Sequence, residues 1–233
     1  MIVSINQPAY LPWLGYFHRI MRSDLHIVLD HVQFEKNSVT NRNKVRTSQG
    51  WCWLTVPLLT KGKFGDLHIN NLQIDNVSSW SLKHEKTLRM NYSKAPHFVE
   101  YQKYFQGIYE QEWKYLMPLL NETNSYLLEA FEIKTPLLLS STMKVEGEKD
   151  ELILNLCQAV GATTYLSGPF GRNYLRESLF KEAGIKVVYH DYQHPVYKQA
   201  QPGFEPFMSA VDLLFNYGTQ SCQILEDHLE VAL

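Results

Sequence analysis

Apolar residues follow two different spacings along the chain, and the changes of spacing predict where strands and helices lie. Residues 1–5, MIVSI, are almost continuously apolar and β-branched, which is typical of a strand covered on both faces. Residues 14–21 carry apolar side chains at helical spacing, and residues 25–29, LHIVL, predict a second buried strand. The first thirty residues therefore form a β-loop-α-β unit with a parallel, right-handed crossover.

The middle of the chain is predicted to be largely helical. Gln49 and Gly50 indicate a hairpin turn before the aromatic strand WCWLTVPL. Residues 68–76 alternate between apolar and polar and predict a short edge strand. From about residue 78 to residue 134 the spacing is helical, with interruptions at prolines. We interpret this segment as a helical insertion or cap within a single domain that spans residues 1–233.

The last third of the chain returns to alternating strands and helices. TPLLLSSTM, TTYLSGP and IKVVYHDY are predicted strands, and helical spacing over 147–161 and 171–184 separates them. Strands that alternate with helices are typical of an α/β fold with three layers. The prediction is a Rossmann-like fold with a largely parallel sheet, in which ligands bind beyond the carboxyl ends of the strands.

Composition excludes several classes of protein. The formal net charge is −2, without the basic excess that nucleic-acid binding usually needs. Cys52, Cys157 and Cys222 are odd in number and far apart, which suits neither a disulfide framework nor a zinc site. No apolar run reaches the roughly 18 residues that span a bilayer, and the N-terminus lacks the pattern of a signal peptide. These features predict a cytoplasmic protein with reduced thiols.

Polar and aromatic side chains collect where the predicted parallel strands end, beginning with the loop after the first strand. Gln7 offers a hydrogen-bond donor and an acceptor, and Tyr10 and Trp13 offer aromatic faces to a base or a sugar. Two prolines hold this loop at low entropic cost. His18, on the helix that follows, is a candidate donor to a phosphate. A rigid aromatic plug between strand and helix is the alternative.

The second strand is also followed by candidate site residues. Asp30 is a candidate base and Gln33 a candidate ligand-binding residue. Asn41, Arg42 and Lys44 then combine amide, guanidinium and ammonium groups that suit a diphosphate or a carboxylate. A loop cap at Asp30 and a solvated turn at 41–44 are the alternatives.

Residues 167–174, SGPFGRNY, leave one predicted strand and are predicted to open a helix. Glycine lets a ligand approach the backbone, and a helix N-terminus favours an anion. The ligand-binding residues predicted here are Ser167, Gly168, Arg172 and Tyr174.

The best catalytic candidates follow the last predicted strand. His190, with Asp191 beside it, is a candidate general base toward an attacking amine or hydroxyl, and His194 is a candidate ligand-binding residue. The strand-to-loop position and Pro195 give a poor metal geometry, so no metal ligands are predicted. A polar strand end satisfied by the backbone is the alternative.

Five segments, taken in order, resemble the WbqC-like family: QPAYLPWLGYF, SDLHIVLDHVQFEKNSVTNRNKV, WLTVPL, YLSGPFGRNYL and FEPFMSAVDLLFNYG. The resemblance extends over about residues 2–225. Members of this family are bacterial, and their genes often lie among those for O-antigen and other surface polysaccharides. The resemblance implies a transferase that adds an acyl or aminoacyl group, such as glycyl, to an amino sugar presented as a nucleotide sugar.

This resemblance implies roles and partners for the candidates. His190 or Asp30 would deprotonate the amine, and Arg42, Lys44 and Arg172 would hold phosphates. The partners would be a nucleotide-linked amino sugar and an activated acyl or aminoacyl donor: coenzyme A, a tRNA, a carrier protein or an ATP-activated acid. The cofactor stays unknown, and a homodimer is compatible with the sequence. The alternatives are an ATP-dependent ligase or nucleotidyltransferase of the same fold, and a non-catalytic binding subunit of a glycan pathway.

The first strand, proline loop and helix are also similar to nucleotidylyltransferases and pantothenate synthetases. Those enzymes hold ATP with a His-x-Gly-His motif at the start of the first helix. The corresponding residues 12–16 here are PWLGY, which contain neither histidine. This departure argues against adenylyl transfer and is compatible with a nucleotide-shaped pocket.

Overall fold

The computed structural model describes residues 1–62, 65 and 67–226 of the chain. The strands are Ile2–Asn6 (β1), Leu25–Val28 (β2), Arg42–Thr47 (β3), Gly50–Thr55 (β4), Leu137–Leu139 (β5), Thr164–Ser167 (β6) and Lys186–Tyr189 (β7). The α-helices are Leu14–Met21 (α1), Trp80–Tyr92 (α2), Phe98–Glu110 (α3), Leu116–Ala130 (α4), Lys149–Ala159 (α5), Glu177–Glu182 (α6), Val211–Tyr217 (α7) and Ser221–Glu226 (α8).

Five of these strands form one parallel sheet in the order β5-β2-β1-β6-β7. Helices flank this sheet, so the predicted three-layer α/β fold is confirmed. The chain runs outward from β1 through β2 to β5, then returns to the other side of β1 to add β6 and β7. The order therefore reverses between β1 and β6, and a crevice opens beyond their carboxyl ends at such a switch point.

Two apolar cores lie on opposite faces of the sheet. Val3 and Ile5 of β1 pack with α5 and α6, in one cluster of buried residues. The other face is covered by α1, and its cluster extends into the helices α2 to α4 and α7. Both faces of β1 are thus covered, as its continuous apolar sequence predicts.

The hairpin β3–β4 forms a separate antiparallel pair, and helices α2 to α4 follow it before the chain returns to the main sheet. The predicted hairpin is confirmed with its turn one residue earlier, at Ser48 and Gln49, and Gly50, with a φ of 118°, begins β4. The polar residues 42–44, which read as a turn in the sequence, belong to β3. They become a strand because each pairs with a residue of the aromatic strand β4.

Two predicted elements differ in the structure. The edge strand expected at 68–76 is wrong: Ile69–Asn71 form a 3₁₀ turn, and single bridges tie the flanking residues to different partners. The helix expected over 171–184 is shorter, because Pro169–Asn173 form a 3₁₀ turn and α6 begins only at Glu177. Within the described part of the chain, no helix has both the length and the apolar character needed to cross a membrane.

Candidate functional site

A cleft of about 730 Å³ lies at the carboxyl ends of β1 and β6, where the strand order reverses. We call it the switch-point cleft. Its size is within the range of small-molecule sites, and its surface is mainly apolar and aromatic with a few polar groups. Predicted site residues that line it are Gln7, Trp13, Lys44, Gly168, Tyr174 and His190.

The loop from Gln7 to Trp13 is held by hydrogen bonds from distant segments. The Tyr10 N–H donates to the carbonyl of Val39 (3.1 Å), and the carbonyl of Leu11 accepts from Nδ2 of Asn43 (2.7 Å). Leu11 adopts a φ of 42°, which is unfavourable for a side chain with a Cβ, and it is fully buried. The surrounding contacts therefore hold this wall of the cleft in one conformation.

Tyr10, predicted from the sequence to stack on a ligand, does not line the cleft. Its side chain is fully buried, and its hydroxyl contacts Nδ1 of His84 (3.0 Å) and the hydroxyl of Tyr109 (2.6 Å). The loop turns at Leu11, so Tyr10 and Trp13 point to different places. Of the two, only Trp13 lines the cleft.

Trp13 packs over the beginning of α1 and there meets a residue from the far end of the sheet. Its ring makes an edge contact with Tyr192, with centroids 5.6 Å apart. A Cβ at Gly15 would run into the Trp13 ring and lie 2.8 Å from Cδ1 of Tyr192. Glycine at this position therefore lets both aromatic rings pack against the helix.

His18 and His190 form a stacked, hydrogen-bonded pair beside the cleft. Nδ1 of His18 lies 2.6 Å from Nε2 of His190, so one of these nitrogens donates and the other accepts. The ring centroids are 4.9 Å apart, and the Tyr192 ring packs against both imidazoles. The α1 helix and the end of β7 thus bring together two residues that are 172 positions apart.

His190 is neutral at physiological pH. Burial, with smaller contributions from His18 and Arg19, lowers its pKa from 6.5 to about 3. A neutral imidazole can accept a proton, but the positive environment disfavours the imidazolium form. An anion bound in the cleft would offset that environment and raise the basicity of the pair.

Asp191, predicted to act with His190, pairs instead with Arg172. Nη1 and Nη2 of Arg172 donate to the two carboxylate oxygens of Asp191, at 2.7 and 2.6 Å. The guanidinium also lies over the ring of Tyr189, 4.3 Å from its centroid. Both charged groups are largely exposed and lie outside the cleft lining. The predicted catalytic role of Asp191 and the phosphate-binding role of Arg172 are therefore not supported by the geometry.

The segment that follows β6 contributes backbone more than side chains. Gly168 lines the cleft, and a Cβ there would run into Nη1 of Arg19. The neighbouring Ser167 is buried and its hydroxyl donates to the carbonyl of Gly168 (3.1 Å). Tyr174 lines the cleft with half of its surface exposed. Residues 167–174 do not open an α-helix, because α6 begins only at Glu177.

Asp30 holds two strand ends together and does not line the cleft. Its carboxylate accepts hydrogen bonds from the hydroxyl of Ser140 (3.0 Å) and from the N–H (2.9 Å) and hydroxyl (2.6 Å) of Ser141. The side chain is 2% exposed. The alternative interpretation, a loop cap, thus describes Asp30 better than a base does. Gln33 lies outside the cleft as well, where its Oε1 accepts from the N–H of Leu67 (3.2 Å).

The hairpin β3–β4 supplies an aromatic and cationic wall. Nζ of Lys44 lies 4.1 Å from the ring centroid of Trp51 and 5.5 Å from that of Trp53. The Arg42 guanidinium lies over the ring of Trp53, 4.3 Å from its centroid. Lys44 and Trp53 line the cleft, whereas Asn41 donates to the carbonyl of Val56 (2.8 Å) and is structural.

Two further predictions concern His194 and metal ligands. His194 lies outside the cleft lining, and its Nδ1 lies 2.8 Å from the carbonyl of Pro195. Over residues 1–62, 65 and 67–226, no group of three or more histidine, cysteine, aspartate or glutamate side chains is arranged to hold a metal ion.

Several residues that line the cleft were not selected from the sequence, and three of them matter for its chemistry. Asn6, Arg19 and Tyr192 all contribute polar groups to it. The position of Asn6, at the last residue of β1, was a usable signal. Arg19 and Tyr192 carried no signal of their own, because only the folded chain brings α1 against the ends of β6 and β7.

Apart from Ile5 and Asn6, the residues that line the cleft fall within a region shared with other proteins. The profile of the WbqC-like protein family matches residues 7–224. An uncharacterized protein of Mycobacterium tuberculosis is 40% identical over 224 residues, which cover 94% of this chain and 95% of the relative. No solved structure is significantly similar to the chain.

Proposed function

The chain belongs to the WbqC-like protein family, and on that premise we propose that it is a transferase of bacterial surface-polysaccharide biosynthesis. It would attach an acyl or aminoacyl group, such as glycyl, to an amino sugar presented as its nucleotide sugar. Transfer would take place in the switch-point cleft.

The observation that carries this proposal is the position of the His18–His190 pair. The imidazole of His190 lines the cleft, and the cleft lies where Rossmann-like sheets bind ligands. Acylation of an amine requires a group that accepts the proton which the nitrogen loses. The His190 imidazole is neutral and can take up that proton, and its Nε2 lies 2.6 Å from Nδ1 of His18, which can share the charge through this contact.

The walls of the cleft suit the rest of such a substrate. Trp13 and Trp53 offer aromatic faces on which a base or a sugar ring stacks. Lys44 adds a positive charge on the hairpin, and Gln7 adds an amide at the end of β1. A nucleotide sugar combines planar, polar and anionic parts, and the cleft offers a matching group for each.

Thermal-shift measurements with candidate ligands test the assignment of the cleft. The probes are UDP-, GDP- and dTDP-linked amino sugars, ATP and acyl-coenzyme A. Stabilisation by an amino-sugar nucleotide is the expected result. Stabilisation by ATP alone favours a ligase, sugar-nucleotide binding without turnover favours a binding subunit, and no shift with any probe argues against the proposal.

A His190→Gln variant tests whether His190 accepts the proton of the attacking amine. If His190 accepts the proton, kcat for acyl transfer should fall by about 100-fold or more, with little change in ligand affinity. His97→Gln is the matched control, because His97 is a partly exposed histidine that contacts Glu100 (2.9 Å) outside the cleft lining. An unchanged rate in His190→Gln rules out its role as base.

A further inference from the structure

Charge in the switch-point cleft has one sign. The ionisable lining residues that carry a full charge at neutral pH are Arg19 and Lys44, and no described aspartate or glutamate lines the cleft. The whole chain, in contrast, has a formal net charge of −2. A cationic cleft on a slightly acidic protein concentrates positive potential at one place and attracts an anion there.

Arg19 is a partly buried cation that lacks the partner such a group normally has. It forms no ion pair and no side-chain hydrogen bond with the described residues, and its Nε is shielded from solvent. Burial lowers its pKa, although an arginine still remains charged. Removing a cation from water without a counter-ion is unfavourable, so stability does not explain this arrangement.

Two more polar groups on the cleft wall also lack protein partners. Nδ2 of Asn6 and the hydroxyl of Tyr192 are buried and form no hydrogen bond with a described residue. Buried donors without a partner are rare in folded proteins, and three on one cleft point to a ligand that accepts hydrogen bonds.

The backbone brings these three donors to the same end of the cleft. The parallel β1–β6 register pairs Ser4 with Leu166, and Asn6 and Gly168 each follow these paired residues by two positions. Gly168 is the residue against which the Arg19 guanidinium packs. Arg19 follows Gly15 by one helical turn on the same face of α1, and Tyr192 packs against Gly15.

We infer that Arg19, with Nδ2 of Asn6 and the hydroxyl of Tyr192, binds an oxyanion of the ligand, which is a phosphate or a carboxylate group. A planar guanidinium forms paired hydrogen bonds with either group. This inference rests on the proposed function for the identity of the ligand: the oxyanion is a phosphate of the nucleotide sugar, or the carboxylate of the acid that supplies the acyl group before that acid is activated.

Binding of two small probes distinguishes the two sources. Isothermal titration with inorganic pyrophosphate represents the nucleotide sugar, and N-acetylglycine represents the carboxylate. We expect saturable binding of at least one probe. Arg19→Gln should weaken it by about 10- to 100-fold, as expected for the loss of charge-assisted hydrogen bonds.

Arg22→Gln is the matched control. Arg22 lies directly after α1, its Nε is likewise buried without a hydrogen-bond partner, and it does not line the cleft. It should leave probe affinity within about twofold. Arg19→Gln should also leave the melting temperature of the ligand-free protein unchanged or raised, because it removes an uncompensated cation.

Three results overturn the inference: no saturable binding of either probe, unchanged affinity in Arg19→Gln, or an equal loss in Arg22→Gln. A lowered melting temperature of Arg19→Gln with unchanged affinity would instead assign Arg19 a structural role. Arg19-dependent probe binding without acyl transfer supports the inference and counts against the proposed function. Acyl transfer that persists unchanged in Arg19→Gln supports the proposed function and counts against the inference.

Discussion

Asp30 illustrates how the structure assigns a carboxylate to stability, and the assignment can be measured. Its three hydrogen bonds join the end of β2 to Ser140 and Ser141, directly after the edge strand β5. Replacing Asp30 with alanine removes all three acceptors. Replacing it with asparagine keeps Oδ1 as an acceptor for two of them and removes the charge.

The magnitudes follow from the surroundings of each donor. A hydrogen bond to a charged group contributes about 1.5–3 kcal/mol. The Ser141 side chain is exposed, so water replaces the bond to its hydroxyl in the alanine variant. The two bonds to Oδ1 are less accessible to water, so Asp30→Ala should lower the free energy of unfolding by about 4 kcal/mol. Asp30→Asn retains these two bonds without charge assistance and should cost about 1–2 kcal/mol.

Urea denaturation followed by far-UV circular dichroism measures these differences at pH 7. Asp75→Ala is a suitable control, because Asp75 accepts a single bond from the N–H of Val77 (3.1 Å) in an exposed loop. That variant should lose about 1 kcal/mol or less.

Ligand affinity and turnover complete the test. Asp30→Asn should retain both, since Asp30 does not line the cleft. An Asp30→Asn variant of wild-type stability that lost turnover would refute the structural role and restore Asp30 as a base. Wild-type stability of Asp30→Ala would refute the energetic argument.

Three further predictions concern other buried or paired groups. Tyr10→Phe leaves His84 and Tyr109, the two buried partners of the hydroxyl, without that hydrogen bond. The free energy of unfolding should fall by about 1–3 kcal/mol while ligand affinity stays constant. A loss of affinity at constant stability would contradict this prediction. Burial lowers the pKa of His26 from 6.5 to about 3, so its neutral form stabilises the fold fully above pH 6.5. Between pH 6.5 and 3 this histidine should lower the free energy of unfolding by about 1.4 kcal/mol per pH unit, and His26→Gln should show a smaller slope than the wild type. Hydrogen bonds from Arg176 lower the pKa of Asp150 from 3.8 to about 2, so their contribution is complete above pH 3.8 and is lost as the pH falls through 2. When stability is measured against pH, Arg176→Gln should lack this loss of stability between pH 3.8 and 2. An unchanged dependence of stability on acidic pH would count against the Arg176–Asp150 pair.

The order of elements was readable from the sequence because it depends on local spacing. Apolar runs such as 1–5 predict strands covered on both faces, and helical spacing predicts the helices between them. Segments without a strong period were misread. Residues 68–76 distribute their backbone hydrogen bonds over several partners, and residues 42–44 form a strand only because β4 lies beside them.

The position of the site was also predictable, since parallel strands present their carboxyl ends at one edge. Gln7, Trp13, Gly168 and His190 were placed at strand ends by sequence and do line the cleft. Asp30 occupies a strand end as well but faces the serines after β5.

The sequence by itself determined the α/β architecture, the family and the edge of the sheet at which ligands bind. Those properties follow from the periodicity and order of residues along the chain. Only the tertiary structure decided which side chains share the cleft: it paired His18 with His190, placed Arg19 against Gly168, and buried Tyr10. The reason is physical, because these contacts join residues 74 to 172 positions apart and depend on how distant elements pack together, and no local pattern encodes that packing.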